Sequence, residues 1–280
     1  MPIHDQGYRR YAGTRSGIGT AWRVMTRAGV MSVVVKRIFI AMMLWAWSYF
    51  VVRAVGFYIA VNYQQTESIL GPKGQVFRDF LDWQGVILFF VTIYVGAGLI
   101  ANDRRANAMQ LYLSKPMTRA EYIAGKLAIL FVFLALVTFA PTMMLLIVQA
   151  VLSGSFIFIR NNLYLLPAIT LFSLCQILVA GTTMLALSSL SKSSRFVGVM
   201  FAGLYFFTTA LFQALRGITG HSTYAWLSPT ATLEIVGDVI FRVKPRYEMS
   251  PVLATVVMIV LVAGSLWILN RKVKGVEIVT

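Results

Sequence analysis

Long apolar stretches alternate with short polar segments along most of this chain. Six of the stretches approach or exceed the roughly 20 residues that a helix needs to cross about 30 Å of hydrocarbon. They cover residues 38–61, 84–101, 127–152, 163–190, 196–215 and 251–269. Of these six, only the first contains a formally charged residue, Arg53. The pattern therefore predicts an all-α, polytopic membrane protein with six transmembrane helices.

A segment with helical spacing precedes the first span. In residues 20–37, apolar side chains recur every three or four positions between arginines and lysines. This is typical of a helix that lies in the cytoplasmic interface with its basic groups toward anionic lipid. The alternative is that these residues begin a long first helix. We therefore divide the chain into a cytoplasmic tail with an interfacial helix, 1–37, and a six-span domain, 38–280.

The loop at 216–250, which the topology below places outside, contains a second amphipathic segment at 230–241. Ser228 or Thr230 can cap its start, and Glu234 then lies near the positive end of the helix dipole. The segment is short and also carries Asp238. It predicts a short external helix before the last span rather than a seventh span.

Composition agrees with a membrane location. The chain of 280 residues is 58% hydrophobic and only 12% charged, with a mean hydropathy of +0.75. A soluble domain usually has about 25% charged residues, so this chain cannot cover a globular surface with charge. Cys175 is the single cysteine, which excludes a disulfide within one chain.

The net charge of +15 has two interpretations, nucleic-acid binding and the positive-inside rule. Of the 25 Lys and Arg residues, 17 lie in the N-terminal tail, the 102–126 loop, the 191–195 turn and the C-terminal tail. With six spans, all four segments lie on one side of the membrane. The excess predicts that this side, with both termini, is cytoplasmic, and a nucleic-acid partner is not needed.

Motifs for catalysis are missing from the sequence. No G-x-x-x-x-G-K-[ST] phosphate loop and no H-E-x-x-H metal motif occurs, and the two histidines, His4 and His221, are far apart. No predicted span contains His, Lys, Asp or Glu, which also argues against an ion-coupled carrier. We predict no catalytic residue, no metal site and no cofactor in this chain, which is therefore not an enzyme.

Four polar side chains within the predicted spans are candidates for lining a translocation path: Arg53, Gln149, Gln176 and Gln213. An arginine inside a bilayer is costly and is a functional candidate for that reason. Alternatively, Arg53 extends its charge to the outer headgroups, and the glutamines hydrogen-bond to neighbouring helices.

The 102–126 loop joins the second and third spans and is short and polar. Pro116 can start a helical turn, and Thr118 with Glu121 has the spacing of a capping box. A rigid short helix here would transmit displacement between a soluble partner and the membrane domain. From position alone, a solvated connection that serves only the positive-inside rule is an equal alternative.

The loop sequence carries a more specific signal. It has a glycine-rich end of the second span, an acidic and arginine turn, a Pro-x-[ST]-Arg-x-Glu-[YF] segment and a Gly-Lys pair. The residues are Gly96-Ala97-Gly98, Asp103-Arg104-Arg105, Pro116-Met117-Thr118-Arg119-Ala120-Glu121-Tyr122 and Gly125-Lys126. In these motifs the chain resembles the permease subunits of the second type of bacterial ABC exporter.

The resemblance implies a division of labour. A separate cytoplasmic ATPase would bind ATP and Mg, while two permease copies, surrounded by membrane lipid, form the path in the bacterial cytoplasmic (inner) membrane and export a cargo. It also implies an ATPase-coupling site on the loop, at Asp103, Arg104, Arg105, Lys115, Pro116, Arg119, Glu121 and Tyr122. The alternative function is a non-transporting membrane scaffold or assembly subunit of a larger complex.

Overall fold

The computed structural model describes residues 19–63, 74–108, 117–152, 160 and 162–273. Within these ranges, the regular secondary structure is helical, and six helices are long and apolar enough to cross a membrane. They are Arg37–Asn62, Gly74–Arg105, Arg119–Leu152, Leu165–Leu190, Ser194–Thr219 and Pro251–Lys272. The prediction of an all-α protein with six spans is confirmed.

We number the helices in chain order. A π-helical turn, Thr92–Gly96, joins the two parts of the second span, and the third span also has two parts. The helices are α1 Ala21–Val34, α2 Arg37–Asn62, α3 Gly74–Val91, α4 Ala97–Arg105, α5 Arg119–Val137, α6 Phe139–Leu152, α7 Leu165–Leu190, α8 Ser194–Thr219, α9 Pro229–Ile240 and α10 Pro251–Lys272.

The N-terminal segment is a helix of its own. Lys36 has an extended backbone (φ −78°, ψ 126°), which ends α1 and starts α2 in a new direction. α1 packs on the start of α5, where Thr26 Oγ1 donates to the Gly125 carbonyl at 3.3 Å and Gly29 leaves room for Ile129. The alternative of one long first helix is therefore wrong. The place of α1 in the membrane interface stays a prediction, and residues 1–18 lie outside the described ranges.

The predicted external helix is present as α9. It begins at Pro229, one residue earlier than expected, because proline is well suited to the first position of a helix. Ser228 is its cap, and the hydroxyl accepts a hydrogen bond from the Ala231 amide at 3.4 Å. Among the elements that surround it are α7, α8 and α10.

The second span is ten residues longer at its start than the apolar pattern indicates. It begins at Gly74 rather than Gln84, so its first turns contain Arg78, Asp79 and Asp82. The expectation that the spans contain no acidic residue is wrong for this helix. The helix continues through these charges because they pair with one another and with the segment around α9, as described below.

The third span is broken at Thr138, where α5 ends and α6 begins. Pro141, three residues later, has no amide to donate to the Val137 carbonyl, which explains a break at this point. The Thr138 hydroxyl donates to the Leu134 carbonyl at 2.9 Å, and that of Thr142 to Thr138 at 2.6 Å, so both polar side chains are satisfied within the helix.

α7 is the central helix of the bundle and packs against α3 to α6 and α8 to α10. Of the 18 residues that form its most apolar part, 67% are buried, compared with 11% in the corresponding part of α2. Ser188 of α7 attaches it to α4, the last part of the second span. Its hydroxyl donates to the Ala97 carbonyl at 2.9 Å and accepts from the Ala101 amide at 3.0 Å. The end of the second span and the end of the fourth span are therefore joined by polar contacts.

Candidate functional site

An ion pair between a buried lysine and a half-buried aspartate joins the two ends of the 102–126 loop. Asp103 lies near the end of α4, whereas Tyr122 and Lys126 lie one turn apart on α5. Asp103 Oδ2 accepts a hydrogen bond from Tyr122 Oη at 2.7 Å and pairs with Lys126 Nζ, also at 2.7 Å. Tyr122 is fully buried and Lys126 is 7% exposed. We call these three residues the Asp103 clamp, because they hold the second and third spans together at the loop.

The start of α5 is fixed by a capping box. The Thr118 hydroxyl accepts from the Glu121 amide at 3.2 Å, and Glu121 Oε2 accepts from the Thr118 amide at 2.8 Å. Both interactions satisfy amides that a helix leaves without an internal partner. The capping box predicted from the spacing is confirmed. It fixes the end of the loop to the start of the third span.

A second group of charges lies where the second span begins. Arg78 is fully buried, and its guanidinium donates to Asp82 one turn later in α3. It also donates to the Glu234 carbonyl of α9 at 3.0 Å, and its Nε lies 3.2 Å from Oδ1 of Asp238, which is fully buried too. Arg78 thus attaches α9 to the second span through contacts without access to water.

Arg246, in the segment after α9, closes the group from the other side. Its guanidinium lies 2.7 Å from Asp82, 3.2 Å from Asp79 and 3.5 Å from Asp238. Its amide also donates to Asp238 Oδ2 at 3.1 Å. We call Arg78, Asp79, Asp82, Glu234, Asp238 and Arg246 the outer charge cluster.

The groups of this cluster that lie on α9 have shifted pKa values. Burial raises the pKa of the Asp238 carboxyl, and the neighbouring Arg78 opposes the shift. Burial also raises the pKa of Glu234, against the effect of a hydrogen bond that its Oε2 accepts from Tyr247 at 2.8 Å. Burial and the Glu234 charge raise the pKa of Tyr247 to about 12. Tyr247 is therefore the donor in this bond at neutral pH.

A cavity of about 460 Å³ lies beside the cluster, between α3, α7, α8 and α9. Aromatic side chains form one wall of the cavity, and several polar side chains also line it. The aromatic residues are Phe89, Phe90, Phe172, Phe201, Tyr205 and Phe206, and the polar ones are Asp82, Gln176, Thr209, Thr230 and Glu234.

Comparison with known families agrees with this architecture. The family model for ABC-2 family transporter proteins matches residues 84–272, which is more than half of the chain. The chain belongs to the ABC-2 transporter family. A search of curated proteins found no match. The predicted resemblance to ABC-2 permeases is thereby confirmed, and the chain is a multi-pass transmembrane transporter subunit, of a kind that is not itself catalytic.

The coupling residues expected of an ABC-2 permease fall into two groups in the structure. Some make contacts within the chain, and others are exposed cations. Asp103 and Tyr122 belong to the Asp103 clamp, and Arg104 donates to the Ser189 carbonyl at the end of α7. Glu121 caps α5. Arg105 and Arg119 are exposed, and either is free to meet a partner protein. Lys115 and Pro116 lie outside the described residues.

The four candidates for the translocation path do not form one site. Gln176 is 6% exposed, lines the cavity and donates to the Leu81 carbonyl at 3.2 Å. Gln149 is buried in α6, away from the residues that line the cavity. Arg53 is half-buried on α2 and acts electrostatically on Asp79, whereas Gln213 is exposed on α8. Of the four, we keep Gln176 as the candidate on a ligand cavity.

The outer charge cluster and the cavity could not be recognised from apolar runs. Arg78, Asp79 and Asp82 lie before the predicted start of the second span at residue 84. The available signal was spacing, since Arg78 with Asp82 and Glu234 with Asp238 are both i, i+4 pairs of the type found on helices. Among the described residues, no group of three or more His, Cys, Asp or Glu side chains is placed to hold a metal ion.

Proposed function

We propose that this ABC-2 family chain is the path-forming membrane subunit of an exporter driven by a separate cytoplasmic ATPase. The ATPase binds ATP and Mg and docks on the 102–126 loop. Two permease copies assemble in the bacterial cytoplasmic membrane, with both termini in the cytoplasm. Lipid and the second copy cover the apolar surfaces left exposed on a single chain.

The Asp103 clamp is the observation that carries this proposal. A force applied to the loop reaches α4 through Asp103 and α5 through Tyr122 and Lys126 at the same time. The Arg104 contact with the Ser189 carbonyl extends the connection to α7. A solvated connecting loop needs no ion pair with a buried lysine at its base, whereas such a pair is expected of a loop that moves three spans together. The clamp thus supports coupling over the alternative of a passive connection.

The cavity supports a transporter over the alternative of a non-transporting scaffold. A scaffold needs no open space between its helices. Here a cavity of about 460 Å³ lies between four helices, and its lining includes the exposed Phe90 and Phe206, so it opens at the surface of the single chain. The basic excess near the loop supports its cytoplasmic location, where an ATPase can reach it.

Arg119→Ala is expected to weaken association with the ATPase about 30-fold or more, because removal of one partner of a desolvated charged contact costs about 2–5 kcal/mol. Arg119 is exposed at the first position of α5, so its loss should leave the permease as stable as the wild type. Association is measured by titrating the purified ATPase onto the full-length permease in lipid nanodiscs.

Arg195→Ala is the matched control. Arg195 is an exposed cation at the start of α8, predicted on the same side of the membrane but outside the 102–126 loop. It should bind the ATPase like the wild type. Equal affinities for the wild type and both variants would contradict docking at this part of the loop. Glu121→Ala is a poorer probe, because loss of the cap itself costs about 1 kcal/mol.

A further inference from the structure

We propose that the cavity between α3, α7, α8 and α9 binds a hydrophobic amine in its protonated form, with Glu234 and Gln176 as the polar contacts and the aromatic wall around the apolar body. The proposal deepens the proposed function by naming a substrate class. Transport of the amine depends on the proposed exporter function, whereas binding of the amine in the cavity does not.

The aromatic wall is continuous. Phe89 lies with its ring centre 5.6 Å from that of Phe201, 5.8 Å from Tyr205 and 5.4 Å from Phe206, and Phe201 and Tyr205 are 4.6 Å apart. Such faces bury flat apolar groups and also attract cations placed over a ring. A volume of about 460 Å³ falls in the range of roughly 300–1,000 Å³ for small-molecule sites.

Glu234 supplies the negative charge at the cavity. Asp79, Asp82 and Asp238 each have an arginine nitrogen within 4.0 Å, but Glu234 has no Lys or Arg nitrogen at that distance among the described residues. Four carboxylates of the outer charge cluster face two guanidiniums, with Arg53 as a further cation that acts on Asp79. Glu234 is thus the carboxylate of the cluster without a close cation, and its side chain lines the cavity.

Gln176 adds a hydrogen-bond acceptor. Its Nε2 donates to the Leu81 carbonyl, while its Oε1 is buried and has no hydrogen-bond partner in the described part of the chain. Burial of a polar atom without a partner is costly, so an N–H donor from a ligand would relieve that cost. This acceptor favours a protonated amine, which has N–H groups, over a quaternary ammonium ion.

Gly85 offers a way to fill the cavity from a backbone position. It lines the cavity, and a Cβ there would have a single neighbouring side chain within 4 Å, with Gln176 Nε2 at 3.7 Å. A larger side chain at this position therefore enters the open space instead of another helix. Gly85→Leu should block the site and leave the outer charge cluster intact.

The test measures binding of pyrenylmethylamine to the full-length protein in nanodiscs of zwitterionic lipid, by fluorescence and without any ATPase. The neutral pyrenylmethanol serves as the uncharged probe of equal shape. The wild type should bind the amine at least tenfold more tightly than the alcohol. Glu234→Gln should weaken amine binding roughly tenfold or more, since a charge-assisted contact is lost. Gly85→Leu should weaken binding of both probes.

Glu248→Gln is the control, because Glu248 is an exposed carboxylate of the same loop that does not line the cavity. It should bind the amine like the wild type. Three results would overturn the proposal. They are equal binding of amine and alcohol, unchanged amine affinity in Glu234→Gln and Gly85→Leu, and no amine binding to the wild type. Arg119→Ala should retain amine binding, so a failure of ATPase coupling and a failure of this site give different results.

Discussion

Arg78→Met is expected to lower the free energy of unfolding by about 3–5 kcal/mol, the usual cost of removing one partner of a buried ion pair. The substitution keeps most of the side-chain length but removes the fully buried one of two guanidiniums near Asp238, at 3.2 Å, and leaves only the partly exposed Arg246 at 3.5 Å. It also removes the hydrogen bond that attaches the second span to α9. The measurement is equilibrium unfolding of the purified protein in mixed micelles.

Two variants separate the ion pair from a loss of packing. Arg246→Met removes a partly exposed cation, and we expect an effect of about 1 kcal/mol. In Arg78→Met/Asp238→Leu both buried charges are gone, and apolar replacement of a buried pair is often nearly neutral. The double variant should therefore be more stable than Arg78→Met alone. Equal losses in Arg78→Met and Arg246→Met, or no recovery in the double variant, would refute the structural role given to Arg78.

Asp103→Asn is expected to reduce the amount of substrate moved per ATP about tenfold or more. The amide can still accept from Tyr122 but loses the ion pair with the buried Lys126, which weakens the connection between the end of α4 and the start of α5. The base of the loop would then move without carrying the second and third spans together. ATPase association should stay within about twofold of the wild type, because Arg105 and Arg119 are unaffected.

Reconstituted proteoliposomes with measured ATP turnover give this ratio directly. Asp103→Glu keeps the charge and should move more substrate per ATP than Asp103→Asn. If the role of Asp103 were purely steric, the longer Asp103→Glu side chain would move less substrate per ATP than Asp103→Asn. Lys192→Gln, at an exposed position predicted on the same side of the membrane but outside the 102–126 loop, controls for the loss of a surface charge and should keep the wild-type ratio. Wild-type transport per ATP in Asp103→Asn would show that the Asp103 clamp does not transmit motion.

Local patterns were sufficient to predict much of the fold. The six spans follow from apolar runs, and the capping box at Thr118 and Glu121 follows from a spacing of three residues whose hydrogen bonds form within one turn. The missed start of the second span has a different cause. Arg78 is tolerated there because its partner Asp238 lies 160 residues further along the chain, and an apolar pattern contains no information about such a partner.

The site residues show the same division. Gln176 and Gln213 are indistinguishable by residue type, yet one lines a cavity and the other is exposed. α7 is apolar on every side, so its sequence does not indicate which face is buried. The Asp103 clamp was equally hidden. Asp103 and Lys126 are separated by the whole loop, and their contact depends on the fold that brings the end of α4 near the start of α5.

Photocrosslinking from position 119 tests the central claim most directly. Benzoylphenylalanine is placed at Arg119 in one variant and at the exposed His221 of the predicted external loop in another, and adducts formed in cells are identified by mass spectrometry. The account predicts a light-dependent adduct between position 119 and a protein that carries a G-x-x-x-x-G-K-[ST] phosphate loop, with none from position 221. An ATPase adduct from position 221, or none from position 119, would contradict a cytoplasmic loop that couples this permease to an ATPase.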